Sequence, residues 1–424
     1  MNRNTTSTNS GPSILRKVSL NVLWLLLLLC ISAGSSFSQI TFGGLTEIEI
    51  RKGERDSSPY LNQTPSDQWT LFTPRVRLFF LADISPSWFV EGSFQADHYY
   101  SESLSNVIIA MLNVNWVPSS RENLRIGAGS FPTPFGAYAS RIHQSNNPFI
   151  QLPLMYARGM PINRQTGIYQ PGSSGGYDLN SYYGLSLVYR RAYSQGLLLH
   201  LADHRNQRYD LRLAATLMPV SGYENFGRYG RPALTARASF RPFIWLNTGI
   251  SISHGAYLSP DNDTREMLDG VSFEQYTQTI VAANAEISYT YIRLLGEAGW
   301  NRWKVPDVDE YYELAEGPFN ADAWFGMAEL QFNFPFYPGM YSGFRAESIQ
   351  PKHLGRSGGY GYGSGTETGM TVGRAWAYTT WRYEWVVGRK LTRDITLKTS
   401  YLLTDNHYSD TEDNVFSIQL SVMF

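Results

Sequence analysis

The stretch NVFSIQLSVMF, residues 414–424, alternates with a period of two. Phe416, Ile418, Leu420, Val422 and Phe424 fall on one side. Val415, Ser417, Gln419, Ser421 and Met423 fall on the other, which is mostly polar. That period places successive side chains on opposite faces of an extended chain and predicts a strand with one apolar face. Such a strand running to a final aromatic residue is unusual for a water-soluble domain.

The same period recurs upstream. In VAANAEISY, Val281, Ala283, Ala285, Ile287 and Tyr289 oppose Asn284, Glu286 and Ser288. In YIRLLGEAGWN, Ile292, Leu294, Ala298 and Trp300 oppose Arg293, Glu297 and Asn301. In NADAWFGMAELQFNF, Trp324, Ala328, Leu330, Phe332 and Phe334 oppose Glu329, Gln331 and Asn333. In DITLKTSYLLTD, Ile395, Leu397, Tyr401 and Leu403 oppose Thr396, Lys398, Ser400 and Thr404. Similar segments occur near 40–51, 69–83, 88–100, 107–117, 124–135, 182–190, 196–203, 208–218, 232–241, 243–257, 340–350 and 372–390. No segment has the period of an amphipathic helix.

Short connectors, such as 84–87, 241–243, 289–291 and 390–394, alternate with long polar ones at 52–68, 136–181, 219–231, 258–274, 304–320, 351–371 and 405–413. Short turns on one side and long loops on the other are the connectivity of an up-and-down antiparallel barrel that spans a bacterial outer membrane. A spanning sheet has to close, because an open edge would leave backbone N–H and C=O groups unpaired in hydrocarbon. One face then meets lipid, and the other is free to carry charge. This accounts for charged residues at mid-strand: Arg75, Arg77, Glu91, Arg125, Arg212, Arg237, Glu286, Arg293, Glu297, Glu329, Arg345, Glu347, Arg382 and Glu384. They are expected on the lumen wall. The segments number seventeen, whereas single-chain bacterial barrels have even strand numbers. The expectation is sixteen strands, with eighteen as the alternative, and the doubtful region is 182–218.

The other end of the chain agrees with a membrane destination. Arg3, Arg16 and Lys17 precede the apolar run LNVLWLLLLLCI (20–31), and SAGSSFSQ follows with Ser36 and Ser38 before Gln39. This is the pattern of a secretory signal peptide over residues 1–38, with the barrel as 39–424. Cleavage there removes Cys30, the only cysteine, so the mature chain has neither a disulfide nor a thiolate metal site. Past that run no apolar stretch approaches the roughly 20 residues of a membrane helix. The mature charge is slightly negative and argues against nucleic acid as a partner. Aromatic residues are abundant, with 28 Tyr, 22 Phe and 11 Trp, and many lie near predicted strand ends, as interfacial girdles require.

The longest connector, 136–181, is expected to fold inward. It carries Pro148, Pro153 and Pro161 with Phe149, Ile150, Leu152, Leu154, Met155 and Tyr156, apolar residues that a solvated loop would not need. No Asp or Glu occurs between Asn123 and Tyr177, while Arg141, His143, Arg158 and Arg164 do. A pore constriction with cations and no anions favours anionic solutes. The competing expectation is that these arginines pair with wall carboxylates such as Glu91, Glu286 or Glu329.

Other spellings carry less. GSSGG (172–176) matches G-x-S-x-G without the strand–turn–helix that a nucleophile needs. GGYGYGSG (358–365) has dinucleotide-loop spacing without a βαβ unit. His200 and His204 are about 13 Å apart on a strand, too far to share a metal. The acidic runs 306–316 and 409–413 read as solvated surface rather than as Ca²⁺ sites. No metal or cofactor is expected, and no catalytic constellation is visible.

The final strand resembles the C-terminal signal that the barrel-assembly machinery reads, here Phe416, Ile418, Leu420, Val422 and Phe424. RIGAGSFPTPFGAYASR (125–141) resembles the G-x-F-x-x-P-F-G segment of phosphate-selective porins, and the hairpin 233–258 and the carboxylate of YIRLLGEAGW are similar to theirs. The resemblance implies an outer-membrane porin with small solutes, outer-membrane lipid and lipopolysaccharide as partners and a homotrimer as an open option. Passive diffusion of small hydrophilic, anionic solutes is one expectation. A barrel that sheaths a lipoprotein or an electron-transfer protein is the other, and it needs a clear lumen.

Overall fold

The computed structural model describes residues 39–54, 67–97, 107–118, 123–138, 141, 147–160, 162–163, 167–168, 184–189, 192–203, 206–221, 232–258, 273–305, 319–352, 377, 379–406 and 414–424. The expected signal peptide, His143, Arg164, His204, both glycine-rich spellings and both acidic runs lie outside these residues.

Sixteen antiparallel strands form one closed barrel. They are β1 (Gln39–Gly53), β2 (Trp69–Ser85), β3 (Trp88–Asp97), β4 (Val107–Trp116), β5 (Leu124–Pro132), β8 (Tyr193–Ala202), β9 (Tyr209–Thr216), β10 (Ala233–Phe243), β11 (Leu246–Ala256), β12 (Thr277–Tyr289), β13 (Ile292–Val305), β14 (Phe319–Asn333), β15 (Met340–Pro351), β16 (Thr380–Lys390), β17 (Ile395–Asn406) and β18 (Val415–Met423). Each pairs with its sequence neighbour, and β5 pairs with β8 across the long connector. Two-residue strands β6 (Ile162–Asn163) and β7 (Gly167–Ile168) pair with each other inside that connector. It also holds a single helical turn, α1 (Leu154–Ala157).

The ring closes where β18 meets β1, with Thr46 opposite Val422 and Ile50 opposite Ile418. Beyond the ladder, Phe424 N donates to Gly44 O at 3.0 Å and Gly44 N donates to Phe424 O at 2.7 Å. The Phe424 ring lies over Gly44 so closely that a Cβ there would stand 2.3 Å from it. Glycine at 44 lets the ring lie there, and a larger residue would turn the Phe424 side chain aside.

The two faces follow the sequence alternation. On the hairpin β13–β14 the outward pairs are Ile292–Phe332, Leu294–Leu330, Gly296–Ala328, Ala298–Gly326 and Trp300–Trp324. The inward residues Leu295, Glu297, Asn301, Trp303, Ala323, Phe325 and Glu329 are buried. On β18, Ser417, Gln419 and Ser421 are buried inward, while the apolar set lies on the outer face. All fourteen charged residues expected on the wall sit on inward-facing strand positions.

The seventeenth segment is explained. Residues 184–189 form no barrel strand; they bend against the connector, with Gly159 bridged to Ser186. Leu187 and Val188 are adjacent and both fully buried, so the alternation on paper is not a two-faced strand in space. The remaining two segments of the doubtful region are separate strands, β8 and β9.

Candidate functional site: the barrel interior

After β5 the chain turns inward at Gly136, whose φ of +65° is a region that favours glycine. A Cβ there would also meet Glu297 Oε1 at 2.4 Å. Gly136 N donates to Ser251 Oγ on β11 (3.0 Å), and Ala137 N donates to Glu297 Oε2 on β13 (3.1 Å). Arg141 then reaches Glu329 on β14, with N–O 2.5 Å.

Residues 147–154 continue across the next three strands. Pro148 O accepts from the Tyr341 hydroxyl on β15 (2.9 Å), and Asn147 O accepts from Lys398 Nζ on β17 (2.7 Å). Glu384 on β16 accepts from the amides of Ile150 (3.0 Å) and Gln151 (3.2 Å). Glu347 on β15 accepts from Leu154 N. In the other direction Arg345 donates to Gln151 O at 2.9 Å, and Arg382 donates to Leu152 O. The connector thus lies on the inner wall from β11 to β17. Wall carboxylates take its N–H groups, and wall cations take its C=O groups.

The hub of this arrangement is Arg345, which has no exposed side-chain surface. Its guanidinium lies 2.6 Å from Glu384, 2.9 Å from Glu347 and 3.5 Å from Glu329, and it stacks on the Phe149 ring at 4.7 Å. Arg382 pairs with Glu347 at 2.9 Å. Burying so many charges is costly unless each is paired and hydrogen-bonded. Here the loop backbone supplies the partners that water would otherwise supply.

Towards the long-loop end the interior is apolar. Phe135, Tyr138, Leu154, Met155, Tyr156, Met160, Ile162, Leu187 and Val188 pack on the inward residues Ile280, Ala282, Trp303, Val305, Ala321, Ala323, Phe325 and Ile349. Burial pushes the Tyr138 phenol up to about 12. Burial, and after it the carboxylate of Glu297, push the Tyr156 phenol well up. Both tyrosines are neutral packing groups at any physiological pH.

The short-turn half of the interior differs. There Arg125, His200, Arg212 and Arg237 form one lateral row on β5, β8, β9 and β10, each opposite the next in register. Arg125 pairs with Glu91 at 2.5 Å. Asp210 lies 2.8 Å from His200 and 2.9 Å from Arg212. Arg293 makes two bonds to Glu286, at 2.7 and 2.9 Å. The side chains of these pairs remain between 14% and 28% exposed, whereas the loop-facing network is closed. Arg237 makes no ion pair among the described residues, and its Nε has no hydrogen-bond partner. Arg212 and Arg237 stand directly opposite each other, an unfavourable arrangement for like charges, which Asp210 beside Arg212 offsets in part.

Of the residues expected at a constriction, two are described. Arg141 takes the competing role, neutralised by Glu329. Arg158 is buried on the same connector. His200 and Asp210, which complete the row, were not singled out as wall residues by sequence. The signal was present in the alternation of LLLHLA (197–202) and YDLRLA (209–214). Among the described residues no group of three or more metal-ligating side chains is positioned to hold an ion.

No protein-family model matches the chain. No curated protein matches it either. Solved structures that resemble it include outer-membrane porins and channels. An anion-selective porin from Comamonas acidovorans superposes with a TM-score of 0.56 at 6% identity, covering 91% of this chain and 98% of that one. The outer membrane channel DcaP of Acinetobacter baumannii gives 0.54 at 12%, covering 91% and 97%. OmpF of Salmonella typhi, in complex with daunomycin, gives 0.53 at 11%, with the same coverage. At such identities the likeness is one of fold, and this chain has the closed sixteen-stranded fold of the outer-membrane porins.

Proposed function

We propose that this chain is an outer-membrane porin that lets small hydrophilic solutes diffuse passively through its interior, with a preference for anions. The observation that carries the reading is the row Arg125–His200–Arg212–Arg237 on the inward face, where Arg125, His200 and Arg212 keep contact with water and Arg237 is buried beside them. The connector 136–154 narrows the interior from the opposite wall, and its arginine at 141 adds little field because Glu329 cancels it. Arg125 and Arg212 are paired too, with Glu91 and Asp210, but those pairs keep contact with water and Arg237 adds a cation without an ion pair among the described residues, so we assign selectivity to the row rather than to the loop. A neighbour described as an anion-selective porin supports this sign.

A sheath for another protein would need a clear interior. Residues 136–138, 141 and 147–154 instead occupy the inner wall from β11 to β17, which favours the channel. We read the chain as a channel rather than a catalyst, placed in a Gram-negative outer membrane and assembled there from its C-terminal strand, with a homotrimer as an open option. The phosphate-selective type remains part of this proposal, since the row would suit a phosphate as well as a carboxylate.

The test is ion selectivity in planar bilayers. Arg125→Gln/Arg212→Gln/Arg237→Gln should bring the anion-to-cation permeability ratio towards unity while heat-modifiability shows an intact barrel. An unchanged ratio in a folded variant would remove the row from the account.

A further inference from the structure

The polar character of the inner wall is broken on β2. Its inward positions run Arg75, Arg77, Phe79, Leu81 and Asp83, so two large apolar side chains follow two arginines. Leu81 stands opposite Glu91 on β3, and Phe89 stands opposite Asp83, which brings Phe79, Leu81 and Phe89 onto neighbouring inward positions. Diagonal neighbours across strands lie about 7–8 Å apart, within reach of aromatic side chains. Leu81 is four positions from Ser85, the end of β2 at the short turn, about 14 Å of strand at roughly 3.4 Å per residue. At a tilt of about 40° the patch stands about 10 Å inside the short-turn mouth.

Elsewhere on the inner wall, apolar side chains such as Leu295 and Val386 are covered. This patch is not. Leu81 is 39% exposed, and Phe79 and Phe89 are partly exposed. Water in the lumen therefore meets apolar surface here. A solute that displaces this water gains free energy in proportion to the apolar area it covers.

Charges of both signs border the patch. Arg125 on β5 lies over the Phe89 ring, with Cζ 5.4 Å from its centroid. Its Nε donates to Asn115 Oδ1 (2.8 Å) and its Nη2 to Glu91 Oε1 (2.5 Å), while its Nη1 has no partner among the described residues. Glu91 Oε2 likewise has none, and Asp83 makes no ion pair among the described residues. Arg77 stands 5.9 Å from the Phe79 ring, but it is buried and bonded to Gln95 and Tyr193. The two guanidinium groups balance the two carboxylates. Residues 119–122, outside the described residues, contain one arginine and one glutamate and leave the sum unchanged. Farther along the wall, His200 and Arg212 pair with Asp210. A plain anion would gain from Arg125 but be repelled by Glu91 and Asp83, and a plain cation would meet the reverse. A zwitterion with an apolar body complements every part.

We propose that Phe79, Leu81 and Phe89, with Arg125, Glu91 and Asp83, form a subsite for an apolar α-amino acid passing through the barrel. The Arg125 Nη1 edge takes the carboxylate, Glu91 Oε2 and Asp83 take the ammonium, and the apolar side chain covers Leu81 and Phe89. The inference rests on the channel reading given above and deepens it, naming a solute class that the basic row alone would not select. The groups it uses stay in contact with water, so the solute can leave as readily as it enters, as conduction requires.

The experiment inserts the full mature barrel into planar bilayers of neutral lipid, with KCl carrying the current, and titrates it with leucine, glycine, isocaproate and isoamylamine. The last three lack the apolar side chain, the ammonium and the carboxylate of leucine in turn. Leucine should reduce the current in a saturable way. Each of the others should need on the order of ten times the concentration, since losing one contact of this kind is worth about a factor of ten. Leu81→Ser should weaken the leucine block on the order of tenfold while the KCl conductance and reversal potential stay as in the wild type. Glu91→Gln should narrow the preference for leucine over isocaproate. Equal block by leucine and glycine, or an undiminished leucine block in Leu81→Ser, would overturn the proposal. So would block by isocaproate as strong as that by leucine, which would assign the patch to anionic amphiphiles instead. Current steps without leucine block would overturn this inference alone, whereas absence of steps would overturn the channel reading with it.

Discussion

Arg141 on the long connector and Glu329 on β14 form an ion pair of 2.5 Å that is closed to solvent on both sides. The pair joins the interior connector to the wall, and Arg345 stands 3.5 Å from the same carboxylate. Arg141→Ala leaves Glu329 with a single cation in a buried place. Breaking a buried pair costs about 3–5 kcal/mol when the remaining charge is uncompensated, and the proximity of Arg345 places this case at the lower end. Urea unfolding of the refolded barrel should show the loss. The reversal potential in a salt gradient should change little, and a large change would mean that Arg141 faces the pathway.

Arg345 holds three carboxylates together beneath the connector. Arg345→Met keeps the length of the side chain but leaves Glu329, Glu347 and Glu384 facing one another, with Arg141, Arg382 and Lys398 as the nearby cations. The connector should then detach from β15 and β16. Single-channel conductance should rise and become noisier, and protease should cut within 147–160. Wild-type conductance with an intact connector would show that backbone hydrogen bonds to Glu384 and Glu347 suffice.

Depth decides the tolerance of the outer wall. Leu294 and Leu330 face each other on the lipid side of β13–β14, well below the tryptophan pair. Arg at either position should destabilise the barrel by about 2–4 kcal/mol near the midplane. Gln331, one residue away and inward, should accept Arg with little effect. Asn284 is inward as well, but it is buried with its Oδ1 close against Gly249, so it should not. Similar losses at Leu330 and Gln331 would refute the register.

Closure depends on Gly44 and Phe424. Gly44→Val places side-chain atoms where the Phe424 ring lies, and Phe424→Asp removes the ring. On the proposed reading of β18 as an assembly signal, Phe424→Asp should lower the yield of heat-modifiable protein in the outer membrane strongly, and Gly44→Val less so. Normal yield of Phe424→Asp would contradict both its closing role and the assembly-signal reading.

The strands were legible because their signal is local. Leu294 and Glu297, or Phe416 and Ser417, declare their faces by spacing alone, and lipid enforces that spacing along the whole strand. The segment 182–190 misled because Leu187 and Val188 are buried by a distant part of the chain, which no local period reports. The wall charges were expected to line the lumen, but their contacts with the connector were not visible. Glu384 and Glu347 read as residues lining water, whereas they accept hydrogen bonds from Ile150, Gln151 and Leu154, more than 190 positions away in sequence. The absence of acidic residues between Asn123 and Tyr177 was the trace of this. A segment docked by wall carboxylates gains nothing from carboxylates of its own. The basic row was hidden for a related reason, since Arg125, His200, Arg212 and Arg237 become neighbours only when β5 pairs with β8 across the connector.

The most direct measurement is the reversal potential of single channels of the wild-type protein in a tenfold gradient of KCl. The account predicts discrete ohmic steps and a reversal potential displaced towards that of chloride. The displacement should shrink at high salt, as the Debye length falls from about 10 Å at 0.1 M to 3 Å at 1 M. Absence of steps from correctly folded barrels, or a displacement towards the potassium potential, would contradict it.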